Sequence, residues 1–89
     1  MNPRIKNVVY KKPYKLILSF TNGEQKEFNL FPYLSYPVYE ILKDESFCSN
    51  VKIANGTIAW NNEIDFDPDT LYLESKPLKP LMYSETHSY

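Results

Sequence analysis

Cysteine, glycine and histidine are nearly absent from this sequence, and each shortage closes off a class of function. The one cysteine, Cys48, can form neither an intrachain disulfide nor a thiolate cluster around a metal. A chain so poor in cysteine is expected in a reducing compartment, the cytoplasm. The two glycines, Gly23 and Gly56, are too few for a glycine-rich loop that wraps phosphate. The one histidine, His87, stands near the C-terminal end, where order is least expected. Cys48 therefore has no internal histidine as a base and reads as a small core or loop residue. No apolar run approaches the roughly 18 residues of a spanning helix, and none follows the first basic residues as in a signal peptide. These shortages argue against an enzyme, a cofactor, a metal centre and a membrane protein.

What remains suits one small domain. The chain has 89 residues, of which 43% are hydrophobic and 16% aromatic, enough for a real core. Eight tyrosines and five phenylalanines favour strands, where flat rings pack on a pleated surface. The net charge is −1 but unevenly spread. Residues 1–30 sum to +4 and residues 61–89 to −4. The two ends are expected to lie near each other and neutralise. The other reading is a dipolar surface that steers a charged partner.

The hydrophobic period marks the elements. Ile5, Val8, Val9 and Tyr10 suggest a first strand, broken near Pro13, which lacks a ladder donor. In Tyr14–Phe20, Leu16, Leu18 and Phe20 fall on one face, as in a half-buried strand, with Ile17 the exception. Asn22-Gly23 reads as a tight turn into a third strand carrying Phe28 and Leu30. From Tyr33 to Lys43 the period changes. Leu34, Val38, Ile41 and Leu42 fit one stripe of a helix, with Ser35 as N-cap and Pro37 in the first turn. Phe47 follows in a loop or single helical turn. A second hairpin turns at Asn55-Gly56, and Asp67-Pro68-Asp69 starts a short helix. The expected fold is α+β: a mostly antiparallel sheet in the order β-β-β-α-β-β, one main helix on the sheet, and a short C-terminal helical turn. Residues 1–75 form the domain. Residues 76–89, with Pro77 and Pro80, form a tail, either extended and mobile or packed on a partner.

The same pieces carry a resemblance. Leu16-x-Leu18-x-Phe20-x-Asn22-Gly23-Glu24, Phe28-Asn29-Leu30, Phe47, Val51, and Ile58-Ala59-Trp60 running to Ile64-Asp65 and Pro68–Tyr72 resemble the bacterial domain of unknown function 2442 family. The likeness spans about residues 4–73. It implies a compact α+β domain, joined in some members to a helix-turn-helix domain and connected in some with two-gene systems of the toxin–antitoxin kind. It supplies no catalytic residues. Asn29 stands where the family often has Asp, and Glu63 where it often has Gly, so a role for a carboxylate at position 29 does not carry over.

Asp65, Asp67 and Asp69 open like a calcium loop. The pattern fails at Thr70, where glycine is needed, and at Lys76, where a bidentate glutamate belongs. Helix capping explains Asp67 and Asp69 better. Tyr33, Tyr36 and Tyr39 cluster at the start of the expected helix, whose inner stripe is already filled. They are the candidate protein-contact patch, with Trp60 and the tail residues Leu81, Met82 and Tyr83. Trp60 is open to two readings, core or contact anchor. Lys11, Lys12 and Lys15, interleaved with Tyr10 and Tyr14, could bind nucleic-acid phosphates. The expected function is a non-catalytic protein-interaction module, a partner or antitoxin-like component of a small two-gene system, binding another small protein or itself. A nucleic-acid-binding regulator using Lys11–Lys15 is the alternative.

Overall fold

The computed structural model describes residues 2–61 and 64–78. Three strands, β1 (Ile5–Lys11), β2 (Lys15–Phe20) and β3 (Gln25–Asn29), form an antiparallel meander. Two 3₁₀ helices follow, Phe31–Tyr33 and Pro37–Lys43, then one turn of α-helix, α1 (Glu45–Cys48). The hairpin of β4 (Lys52–Ala54) and β5 (Thr57–Ala59) comes next, then α2 (Pro68–Glu74) and β6 (Lys76–Pro77). The main sheet has the order β1-β2-β3-β6, and β4–β5 is a separate two-stranded sheet. The fold is mixed α+β with antiparallel sheets, as the sequence period implies.

One face of the main sheet is dry and the other wet. Leu16, Leu18 and Phe20 of β2 and Phe28 of β3 are buried. A register shift in β1 between Ile5 and Asn7 restores the inward phase after an extra residue, so Ile5, Val8 and Tyr10 face the core. Ile17 lies on the opposite face, paired between Val9 and Glu27. The dry face is closed by Leu30, Leu42, Cys48, Ile58, Trp60, Phe66 and Leu71.

The two Asn-Gly turns differ. Asn55 (φ 53) and Gly56 (φ 78) both take positive φ, the two-residue turn that matches strand twist. At the first turn only Gly23 does so (φ 92), and the chain closes through Gly23 N–H to Phe20 C=O and Phe20 N–H to Glu24 C=O. That longer loop needs one left-handed residue, so Asn22 is free to turn its side chain onto the Glu24 N–H at 3.0 Å.

The expected main helix is the largest correction. Val38 and Ile41 are 57% and 48% exposed, so the stripe that reads as α-helical is not one face. A residue before proline avoids helical dihedrals, and Tyr36 is extended at φ −81, ψ 135. The segment therefore splits at Pro37. A 3₁₀ helix turns in about 3.0 residues, so positions three apart share a face. Tyr39 and Leu42 pack inward, while Val38 and Ile41 face water. Ser35 caps nothing; its hydroxyl donates to Pro32 C=O at 3.4 Å.

Side chains set the remaining ends. Asn29 Oδ1 accepts from Phe31 N–H at 3.1 Å and opens the first 3₁₀ helix, a bond that an aspartate would accept equally well. Asp44 accepts from Ser46 N–H at 3.0 Å and caps α1. Asp67 accepts from Thr70 N–H at 3.1 Å at the start of α2, with Pro68 behind it. Regular structure continues past the point where the sequence period lapses: Lys76 pairs with Glu27, and Pro77 with Lys26.

Candidate functional site

Six rings determine which tyrosines face water. Phe66 is buried at the centre of a cluster. Tyr39 stacks on it at 4.7 Å and 7°, and Phe28 and Tyr33 each lie 5.4 Å away. Trp60 meets it at 5.9 Å. Tyr33 also stacks on Phe28 at 5.4 Å and meets Tyr36 edge-on at 6.1 Å. Burial raises the Tyr39 phenol above its ordinary pKa, with the Asp65 charge adding to the effect. Burial likewise raises Tyr33, helped by Glu74.

The candidate contact residues sort accordingly. Trp60 is a core residue, not a contact anchor: it is buried, and its indole N–H donates to Cys48 C=O at 2.7 Å. The β-strand before it carries the ring inward, and the hydrogen bond satisfies its one polar atom. Tyr39 belongs mainly to the cluster, and Tyr33 is half-buried in it. Tyr36 alone among the three tyrosines is largely in water, 54% exposed. Leu81, Met82 and Tyr83 lie outside the described residues.

Three apolar residues join Tyr36 at the surface that the sequence period had placed elsewhere or passed over: Phe31, Val38 and Ile41. The signal was Pro37, which breaks the segment at Tyr36; the inward packing of Tyr39 and Leu42 then leaves Val38 and Ile41 outside. Residues 31–43 thus present an exposed apolar surface on a rigid aromatic base. Beside it lies a cleft of about 390 Å³, lined by Phe28, Pro32, Tyr33 and Tyr36 on one side and Glu74 and Lys76 on the other.

The lysines divide as well. Lys11, the last residue of β1, and Lys12, at the start of the β1–β2 connection, are exposed. Lys15 lies directly across from Lys11 in the ladder, and its Nζ is 3.7 Å from Glu27 Oε2. The acidic triplet is dispersed in role. Asp67 caps α2, Asp69 accepts from Asn2 Nδ2 at 3.3 Å, and Asp65 is exposed where its backbone bridges Ala59. Among the described residues no group of three or more His, Cys, Asp or Glu side chains could hold a metal ion. No helix among them is long and apolar enough to cross a membrane.

Two weak acids, the buried Cys48 and the partly buried Tyr10, tie stability to alkaline pH. Burial raises the Tyr10 phenol to about 12, and its hydrogen bond to Glu45 Oε1 at 2.7 Å adds to this. Burial raises the Cys48 thiol to about 11, opposed by a hydrogen bond with Tyr10. Both groups hold protons in the fold that the unfolded chain gives up at its lower, ordinary values. Their contribution to stability is therefore complete below about pH 9 and is lost as pH rises through the range from about 9 to about 12. Urea midpoints across that range should decline, and Cys48→Ala should flatten the first part of the decline. A midpoint constant up to about pH 11, near the raised Cys48 value, would contradict this.

The model of a family described as protein of unknown function (DUF2442) matches residues 5–77. No curated protein and no solved structure matches the chain.

Proposed function

We propose that this chain, which belongs to the DUF2442 family, works as a non-catalytic protein-interaction module in the cytoplasm. Its partner is another small protein, as in a two-gene system of the antitoxin kind, or a second copy of itself. The supporting observation is the exposure of Tyr36, which precedes the Pro37–Lys43 helix, and of Val38 and Ile41 on it. Side chains of this kind lose nothing in the fold by facing water together, and they gain when a partner covers them. The aromatic cluster beneath holds that surface in one shape, which lowers the ordering cost of association.

Tyr36→Ala and Val38→Asp test it. Neither residue is buried, so each variant should melt within a few degrees of the parent, a shift below about 0.5 kcal/mol. Association, read as co-purification from native cells at moderate salt with nuclease and as mass by light scattering, should weaken about tenfold or more. Parent-level association in both variants would remove this surface from the proposal. Tyr39→Ala is not a usable probe, because it also opens the cluster around Phe66.

A further inference from the structure

We infer that the end of the sheet at the β1–β2 connection is a site for single-stranded nucleic acid, gripped at its phosphates and by one stacked base. The site shares Phe31 with the exposed surface of residues 31–43, but it is built on Tyr14 and the lysines and does not depend on the Tyr36 reading.

A cavity of about 370 Å³ opens here, lined by Tyr14, Phe31, Leu34, Ser35 and Lys43. Tyr14 forms a fixed wall. Its φ is 58, a left-handed value that a bulky residue rarely adopts. Three hydrogen bonds hold it there. Its N–H donates to Tyr10 Oη at 3.0 Å, its C=O accepts from Leu30 N–H at 2.8 Å, and its hydroxyl donates to Lys43 C=O. Backbone strain maintained this way is found disproportionately at binding sites. Phe31 forms the other wall, with its ring centre 6.4 Å from that of Tyr14 and the planes inclined at 48°. It is 66% exposed and fills no core space. An exposed ring beside a fixed one is a stacking platform, and every base has a face to place on it.

Three lysines at this end are placed to meet phosphates. Lys43 lines the cavity, and Lys11 at the end of β1 and Lys12 on the connection that carries Tyr14 are exposed. Lys11 and Lys15 face each other across β1 and β2, a like-charge pairing that does not help the sheet. Four carboxylates stand nearby and keep their charge, but among the described residues none forms an ion pair with Lys11, Lys12 or Lys43. Glu27 is beside Lys15, Asp44 caps α1, and Glu45 accepts from the Tyr10 hydroxyl; Glu40 is exposed. An acidic peptide would match the lysines but brings no ring at each anionic unit. Nucleic acid brings both together, which is why it is the favoured occupant.

The test uses the full chain and a fluorescein-labelled oligothymidylate about 20 nucleotides long, read by anisotropy between about 50 mM and about 200 mM salt. Binding should fall with a slope of about −2 to −3 in log affinity against log salt, as expected for three or four phosphates. Phe31→Ala should weaken binding about tenfold without changing that slope. Lys11→Glu with Lys12→Glu should weaken it and flatten the slope, and Tyr36→Ala should leave it unchanged. Absence of binding at the lowest salt would overturn the inference, as would parent affinity in Phe31→Ala. Displacement by polyglutamate at equal charge would overturn it in favour of an acidic protein partner.

Discussion

Phe66→Ala should lower the unfolding free energy by about 4 kcal/mol, the range for a truncated core aromatic. Phe66 is 4% exposed and meets Phe28, Tyr33, Tyr39 and Trp60. Removing its ring leaves a cavity whose walls are themselves rigid rings with little freedom to collapse. A domain of this length is stable by roughly 5–10 kcal/mol, so the variant sits near the limit of folding. Its melting temperature should drop by about 15–30 °C, followed by circular dichroism. Phe31→Ala is the matched control: the same residue type, exposed, and expected to change stability by less than about 0.5 kcal/mol. Equal losses in the two variants would mean that the ring cluster is not what holds residues 31–43 against the sheet.

The second large effect comes from a buried cation. Lys26 is 8% exposed on the inner face of β3. Its Nζ donates to Tyr72 C=O at 2.6 Å, at the C-terminal end of α2, and lies 3.8 Å from the centre of the Tyr72 ring. A positive donor there satisfies an open carbonyl and faces the negative end of the helix. The Ser75 hydroxyl also donates to that carbonyl, at 3.2 Å, so removal of the lysine leaves one donor behind. Lys26→Met keeps the aliphatic stem and removes the charge. It should therefore destabilise by about 2 kcal/mol, the value of a charge-assisted bond with a cation–ring contact. Hydrogen exchange should then quicken in α2 and β6 before it quickens in β1 and β2. A uniform change across the sheet would show that Lys26 does not pin α2 locally.

Both residues were inconspicuous in the sequence. Phe66 lies between aspartates in a stretch without a clear period, and Lys26 sits in a strand whose other inward residues are apolar. The tyrosine triplet was visible as a group, yet its division into Tyr39 inside and Tyr36 outside depended on where Phe66 arrives. Trp60 shows the same dependence. The sequence left it open between core and contact anchor, and what decides is the acceptor of its N–H, Cys48 C=O on a different element.

What the sequence determined by itself is short in range. Asn55-Gly56 makes its two-residue turn because both residues tolerate positive φ. Asp67-Pro68 starts a helix because one carboxylate reaches an amide three residues on. Alternation in β2 selects its buried face. Each outcome is decided by dihedral preference or by a single side chain's reach. The tertiary structure decided what distant residues do to one another: Lys26 against Tyr72, 46 positions apart, Tyr14 against Lys43, and Phe66 among the rings of Phe28 and Tyr39. Local preference was nearly balanced in residues 31–43, where an α-helical stripe competed with the break at Pro37. There the fit of Leu34, Tyr39 and Leu42 against the sheet selected two 3₁₀ helices, and with them the side chains left at the surface. Burial of a few side chains outweighs a propensity difference of less than about 1 kcal/mol per residue.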